Sequence, residues 1–154
     1  MVRRVSGWFA AHPSVDPVPE GKIPCLWLLL SSRYYDTDNS AEARAEYQRA
    51  LVRDSTNREA WAGLGALAAR SGDRATVSRI DRWLAKRTDT RGMAAYDRAR
   101  IAAILGDRDR AVSLLTQAFQ QGLRGRMSVH LDPDFESLRQ YAPYQAITRL
   151  RDEE

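Results

Sequence analysis

Apolar residues recur along this chain at three- and four-residue steps, in blocks separated by short polar breaks. That spacing places the apolar residues of one block on a single face of an α-helix, as in an amphipathic helix that buries one stripe. Three blocks show the stripe most clearly: Ala43, Tyr47, Ala50 and Leu51; Val77, Ile80 and Leu84; and Ala111, Leu114, Leu115, Ala118 and Phe119. The pattern predicts an all-α protein.

The polar breaks contain helix start and stop signals. Gly72 and Gly106 suit the left-handed residue that ends a helix, and Asp73 and Asp107 directly after them can cap the next helix. Two further pairs have the spacing of a capping box, namely Asn39 with Glu42 and Thr56 with Glu59. Two blocks joined by such a break predict a helical hairpin.

The hairpins repeat with a period of 34 residues. Trp27 and Trp61 are 34 positions apart, as are Gly72 and Gly106, and each of these two glycines is followed by Asp and Arg. A fixed period in this range is typical of stacked repeat architectures. The repeat defines three units: 24–57, 58–91 and 92–125.

These residues resemble the tetratricopeptide repeat (TPR) family, whose unit is also 34 residues long. The matching positions are Trp27, Leu30, Tyr34, Ala43, Tyr47 and Ala50 in unit one, Trp61, Leu64, Gly65 and Gly72 in unit two, and Gly106, Ala111, Leu115 and Ala118 in unit three. The units are degenerate and of bacterial type: Ser55, Asp89 and Leu123 replace the family's proline, Ser31 and Ala99 replace its first glycine, and Asp81 replaces a large residue. The resemblance implies an α-α superhelix, a TPR-like solenoid of about three hairpins.

The two ends of the chain differ from the repeats. Residues 1–22 are rich in Pro and Gly and lack sustained periodicity, which predicts a flexible arm or linker before a repeat domain at 23–150. An end piece, 126–150, follows the third unit: Asp132 and Pro133 can start one short helix, Pro143 separates it from a second, and His130 precedes both in a polar turn. These capping helices would cover the last hydrophobic face of the solenoid. The stretch 131–139 also resembles the endings of many bacterial TPR proteins, so we expect a genuine C-terminus.

The charge distribution makes a nucleic-acid-binding protein the less favoured class, and the length of the apolar runs excludes a membrane-spanning helix. The 24 basic and 20 acidic residues among 154 give a net charge of +4, with Arg spread along the chain as on a solvated helical surface. Arg79, Arg82, Lys86 and Arg87 leave nucleic-acid binding as an alternative, although Asp73, Asp81 and Asp89 are interspersed with them and make it the less favoured one. The longest apolar run, 23–30, is too short to cross a membrane, so we expect a cytoplasmic protein.

The chain lacks the residue sets that catalysis and metal binding require. Cys25, His12 and His130 are its only Cys and His residues, too few for a zinc site. Cys25 is interpreted as a small apolar residue at the start of the first helix. We therefore predict no enzyme, no cofactor and no metal.

The TPR resemblance implies binding of a peptide or helix from another protein in a concave groove. Transferring the family's groove positions gives Leu28, Ser32 and Tyr35 from unit one, Glu59, Ala62, Ala66 and Arg70 from unit two, and Tyr96, Arg100 and Ala103 from unit three. Tyr and Arg are enriched at interface hot spots, so the predicted partner is acidic or amphipathic and is oriented by Arg70 and Arg100. The set that binds chaperone tails is absent, because its positions hold Leu28, Leu29, Ala62, Gly63 and Asp97.

The predicted function is thus a non-catalytic adaptor or scaffold for protein binding. The first helix is apolar all round at 26–30, which predicts contact with the N-terminal arm or with a second copy in a homo-oligomer. Besides nucleic-acid binding, a regulatory remnant of a larger bacterial multidomain protein stays open as an alternative.

Overall fold

The computed structural model of the chain describes residues 40–87 and 91–149, except for the side chains of 126–128. These residues form helices and no strand, which confirms the predicted all-α class. The helices are α1 (Ser40–Arg53), α2 (Arg58–Arg70), α3 (Arg74–Ala85), α4 (Met93–Ile104), α5 (Arg108–Gln120), α6 (Arg126–Leu131), a 3-10 helix (Pro133–Leu138) and α7 (Ala142–Thr148). In the described ranges, none of them is long and apolar enough to cross a membrane.

The helix boundaries largely follow the predicted signals. Gly72 and Gly106 adopt positive φ angles, and the Asp73 carboxylate accepts a hydrogen bond from the Thr76 backbone N–H at 3.0 Å. Asp107 caps α5 in the same way, with the backbone N–H of Arg110 at 3.3 Å. Both predicted caps are confirmed.

The predicted cap of α2 was wrong by one residue. The Asn57 side chain accepts the hydrogen bond from the Ala60 backbone N–H at 3.0 Å, so Asn57 is the cap. Thr56 lies in the preceding turn, where its hydroxyl donates to the Asp54 carboxylate at 2.6 Å. The Thr56 hydroxyl, which the sequence predicted to cap α2, is therefore bound to Asp54 instead.

Two apolar clusters form the core of the described residues. One joins α2, α3 and Ile101 of α4, and the other joins α4, α5 and the C-terminal helices. The predicted stripes on α3 and α5 are buried, with Phe119 partly so, which confirms them, whereas no residue of α1 is fully buried. The predicted first helix and arm lie outside the described residues.

The helices contact one another in hairpin fashion. α2 packs against α1, α3 and α4, while α4 packs against α5 and the 3-10 helix. Small residues allow these close approaches: a Cβ on Gly63 would lie 2.2 Å from the Tyr47 ring, and one on Gly65 would lie 2.5 Å from Ile101 Cδ1. Gly65, one of the positions that carry the family resemblance, is therefore required by packing.

The C-terminal region has one helix more than predicted. His130 lies in α6 rather than in a polar turn, and its Nε2 is 2.8 Å from the Thr148 carbonyl oxygen of α7. Six residues are too few to show a helical period, which is why the sequence missed α6. The predicted cap Asp132 and the helix break at Pro143 are confirmed.

Candidate functional site

The predicted groove residues that the structure describes lie on α2 and α4. Ala62, Ala66 and Ala103 are buried, while Glu59 and Arg70 are exposed. Tyr96 is half-buried and Arg100 is buried. Leu28, Ser32 and Tyr35 lie outside the described residues.

Arg70 and Arg100 bind a carboxylate of their own chain. Arg100 Nε and Nη2 lie 2.8 Å and 2.6 Å from Asp134 Oδ2, and Arg70 donates to the other oxygen of the same carboxylate. The Asp134 side chain is only 2% exposed. Burial works to lower the pKa of Arg100, but the surrounding carboxylates, Asp134 foremost, raise it above its usual value.

Asp132 joins the same cluster from the start of the 3-10 helix. Its carboxylate accepts a hydrogen bond from the Tyr96 hydroxyl and lies 3.3 Å from Arg100 Nε. Burial, reinforced by Asp132, raises the pKa of Tyr96 above its usual value, so the phenol stays protonated and remains a donor. The Tyr96 ring also packs edge-on against Phe135, with centroids 5.7 Å apart.

A third carboxylate, Asp97, also lies near Arg100. Arg58 of α2 donates a hydrogen bond to Asp97, and Arg100 Nη1 is 3.9 Å away. Burial raises the pKa of Asp97 to about 6, although both guanidinium groups oppose the shift. We call these residues the inner charge network: Arg58, Arg70, Tyr96, Asp97, Arg100, Asp132 and Asp134.

An acidic segment of the chain itself, at Asp132 and Asp134, lies where the sequence predicted an acidic partner. The 3-10 helix packs on α4, and Asp134 together with the cap residue Asp132 binds the cations of the predicted groove. The sequence does not reveal this pairing because Asp134 is 34 residues from Arg100 and 64 from Arg70. No local signal connects positions that far apart.

A second candidate surface lies on the α2–α3 hairpin. Trp61 and Trp83 pack with ring centroids 5.1 Å apart, and together with Arg79, Arg82 and Lys86 they line an open cavity. The Arg87 guanidinium lies over the Trp83 ring, 3.9 Å from its centroid. We call these six residues the basic tryptophan surface.

The sequence contains a signal for this tryptophan pair that the period of 34 does not reveal. Trp61 and Trp83 are each 11 positions from Gly72, at the turn of the hairpin. Residues equally far from a tight turn lie level with each other when two helices run back to back. Trp83 could therefore have been predicted to meet Trp61.

Other chemistry is limited in the part of the chain that the structure describes. No group of three His, Cys, Asp or Glu residues there is arranged to hold a metal ion, and Cys25 lies outside it. No family model, curated protein or solved structure matches the chain. The inner charge network and the basic tryptophan surface are therefore the two candidate sites among the described residues.

Proposed function

We propose that the chain is a non-catalytic interaction module, built as degenerate TPR-like hairpins, that binds a peptide or helix of another protein along the face formed by α2 and α4. One observation supports the proposal: this face already binds an acidic segment of its own chain. Arg70 and Arg100 both hold Asp134, and Tyr96 holds Asp132. Of these groups, Arg70 keeps part of its side chain exposed and has the chemistry to bind a carboxylate of a partner.

The partner would meet the exposed polar residues of this face. Arg70 keeps 28% of its side chain exposed although it is paired with Asp134. Glu59 is also exposed, and its Oε1 lies 3.8 Å from Arg58 Nη2. Acidic and basic groups alternate here, which favours an amphipathic segment with carboxylates near Arg70. The buried Ala62, Ala66 and Ala103 serve helix packing in the same region.

Reversing the charges of Arg70 and Arg100 would not test this proposal cleanly. Arg100 is buried among three aspartates, so Arg100→Glu would disturb the fold as well as any partner. Glu59 is a better position because it is exposed and lies outside the inner charge network.

The experiment is site-specific photo-crosslinking in the native cell. A benzophenone side chain replaces Glu59, and a matched variant carries it at Ser113, which is exposed on α5. We expect discrete protein adducts from position 59 that survive nuclease treatment and do not form from position 113. Identical adducts from both positions, or none from position 59, would contradict the proposal.

A further inference from the structure

The four cations of the basic tryptophan surface have no carboxylate partner among the residues that the structure describes. Arg79 and Arg82 lie on α3, and Lys86 and Arg87 directly follow its last residue. Among the described residues, no carboxylate lies within 4.0 Å of any of these four charged groups. By contrast, Arg58, Arg70, Arg98, Arg100 and Arg110 are all paired.

The aspartates that are interspersed with these cations in the sequence act elsewhere in the fold. Asp81 pairs with Arg98 at 2.9 Å and with Arg110 at 2.8 Å. Asp73 caps α3, and Asp89 lies outside the described residues. In the sequence, these aspartates were expected to neutralise the neighbouring cations and so disfavour an anionic ligand. In the fold, Asp73 and Asp81 instead serve helix capping and pairing with Arg98 and Arg110.

One carboxylate does influence the rim of the surface. Asp54 accepts hydrogen bonds from the backbone N–H and the hydroxyl of Thr56, which lower its pKa, and Arg87 adds to that shift. The Asp54 carboxylate is thus hydrogen-bonded to Thr56, and its interaction with Arg87 is a Coulomb attraction without a hydrogen bond.

The indole rings of Trp61 and Trp83 indicate a second property of the ligand, an apolar or planar group beside its negative charges. A cavity lined by Trp61 and Trp83 offers flat apolar surface directly beside the guanidinium and ammonium groups. The Arg87 guanidinium, 3.9 Å from the Trp83 ring centroid, adds a cation at the edge of this surface. The ligand must therefore combine closely spaced negative charges with planar rings.

We propose that the basic tryptophan surface binds single-stranded nucleic acid, with phosphates at the four cations and a base against the indoles. Each nucleotide of a single strand supplies one phosphate and one exposed ring, the combination that this surface matches. In a duplex the rings are stacked inside and cannot reach the tryptophans. An acidic peptide would supply the charges but not the rings.

The first test is the salt dependence of binding to fluorescein-labelled 12-mers of oligothymidylate and oligouridylate, measured by anisotropy. Four phosphate contacts predict a slope of log K against log salt of about −3 for a single strand. The variant Arg79→Gln/Arg82→Gln/Lys86→Gln should reduce the slope to about −1 and weaken binding at least about tenfold at 50 mM salt. Comparing the two oligomers distinguishes DNA from RNA as the source of the strand.

A matched control removes three exposed arginines elsewhere. Arg108→Gln/Arg124→Gln/Arg139→Gln lowers the net charge by the same amount, and we expect its slope and affinity to stay close to wild type. Trp83→Leu should weaken binding at least about fivefold while leaving the salt slope unchanged, because it removes stacking but no cation. Thermal unfolding by circular dichroism shows whether each variant is folded.

Several outcomes would overturn the proposal. Wild type that does not bind either oligomer at 50 mM salt contradicts it, and so does an equal loss in the glutamine variant and its control. Polyglutamate that competes as well as oligothymidylate, or a duplex that binds as tightly as the single strand, would also overturn it. The crosslinks from position 59 are read separately, so either proposal can fail without the other.

Discussion

Arg100 illustrates how neighbours determine the role of a single residue. By its position in the repeat it was predicted to face a partner, yet it is 9% exposed and bound by Asp134, with Asp132 and Asp97 nearby. Because an unpaired buried guanidinium is strongly destabilising, these carboxylates are needed wherever Arg100 is buried. Its charge is already used within the chain.

Asp97 leads to a prediction about pH. Its pKa is about 6 in the folded protein and near 3.8 otherwise, so the folded state holds the proton more tightly. The stabilisation from this proton is fully present below pH 3.8 and is lost as the pH rises through 6. Relative to Asp97→Asn, wild type should lose about 2 to 3 kcal/mol of unfolding free energy between pH 4 and pH 7.

Urea unfolding of both proteins at pH 4 and pH 7 checks this prediction. At pH 4 the Asp97 carboxyl of folded wild type is protonated, so Asp97→Asn resembles wild type there, and the variant lacks the ionic contact with Arg58 only at pH 7, where Asp97 is ionised. Because Asn does not titrate, the difference in pH dependence between the two proteins is the contribution of Asp97. Only the difference in pH dependence is therefore interpreted. Equal pH dependence in the two proteins would show that Asp97 titrates normally in the fold.

At the scale of elements, glycines at helix ends have two different roles. Gly72 and Gly92 have nearly the same φ, +75° and +71°. A Cβ on Gly72 would meet no atom within 4 Å, whereas one on Gly92 would lie 2.2 Å from the Ala118 carbonyl oxygen. Gly92 therefore also allows the start of α4 to approach the end of α5.

The pair predicts unequal effects of the same substitution. Gly72→Ala should destabilise by about 1 to 2 kcal/mol, the energy of a left-handed non-glycine residue. Gly92→Ala should destabilise by about 1 to 3 kcal/mol more, because α4 and α5 must also move apart. Chemical denaturation of the two variants tests this, and equal losses would contradict the close approach.

The start of α2 provides a second prediction at this scale. Asn57→Ala should destabilise the protein by about 1 kcal/mol, since it removes the bond to the Ala60 backbone N–H. Thr56→Ala should have a clearly smaller effect, because Thr56 does not cap the helix. A larger loss for Thr56→Ala in urea unfolding would restore the cap expected from the sequence.

At the scale of the whole described region, the C-terminal segment is part of the core. Phe135, Leu138 and Tyr144 are at most 1% exposed and belong to one cluster with Leu115 of α5. Burial also raises the pKa of Tyr144 to about 12, and its hydroxyl donates to the Val129 carbonyl oxygen at 3.2 Å. The segment that binds Arg100 is therefore anchored by apolar contacts.

Phe135→Ala measures the strength of this anchor. We expect a loss of about 3 to 5 kcal/mol in unfolding free energy, as for a fully buried aromatic side chain. Phe135→Leu, which keeps most of the apolar volume, should lose less than about 1.5 kcal/mol. A loss below about 1 kcal/mol for Phe135→Ala would mean that the segment is easily displaced from the α4 face.

The sequence by itself determined those features that depend on near neighbours. The stripes on α3 and α5, the caps Asp73, Asp107 and Asp132, and the break at Pro143 were predicted because helix periodicity and capping act over three or four residues. Helix α6 was missed because six residues are too few to show a helical period. The cap at Asn57 was missed because Thr56 and Asn57 are adjacent and both residue types can cap a helix.

Only the tertiary structure decided which charges are paired. Asp81 is beside Arg82 in the sequence but binds Arg98 and Arg110, and Asp134 binds cations from two other helices. Within 40–87 and 91–149, packing brings distant carboxylates to some cations and none to Arg79, Arg82 and Lys86. Electrostatic pairing depends on distance in space, and the separation of residues along the chain does not specify it.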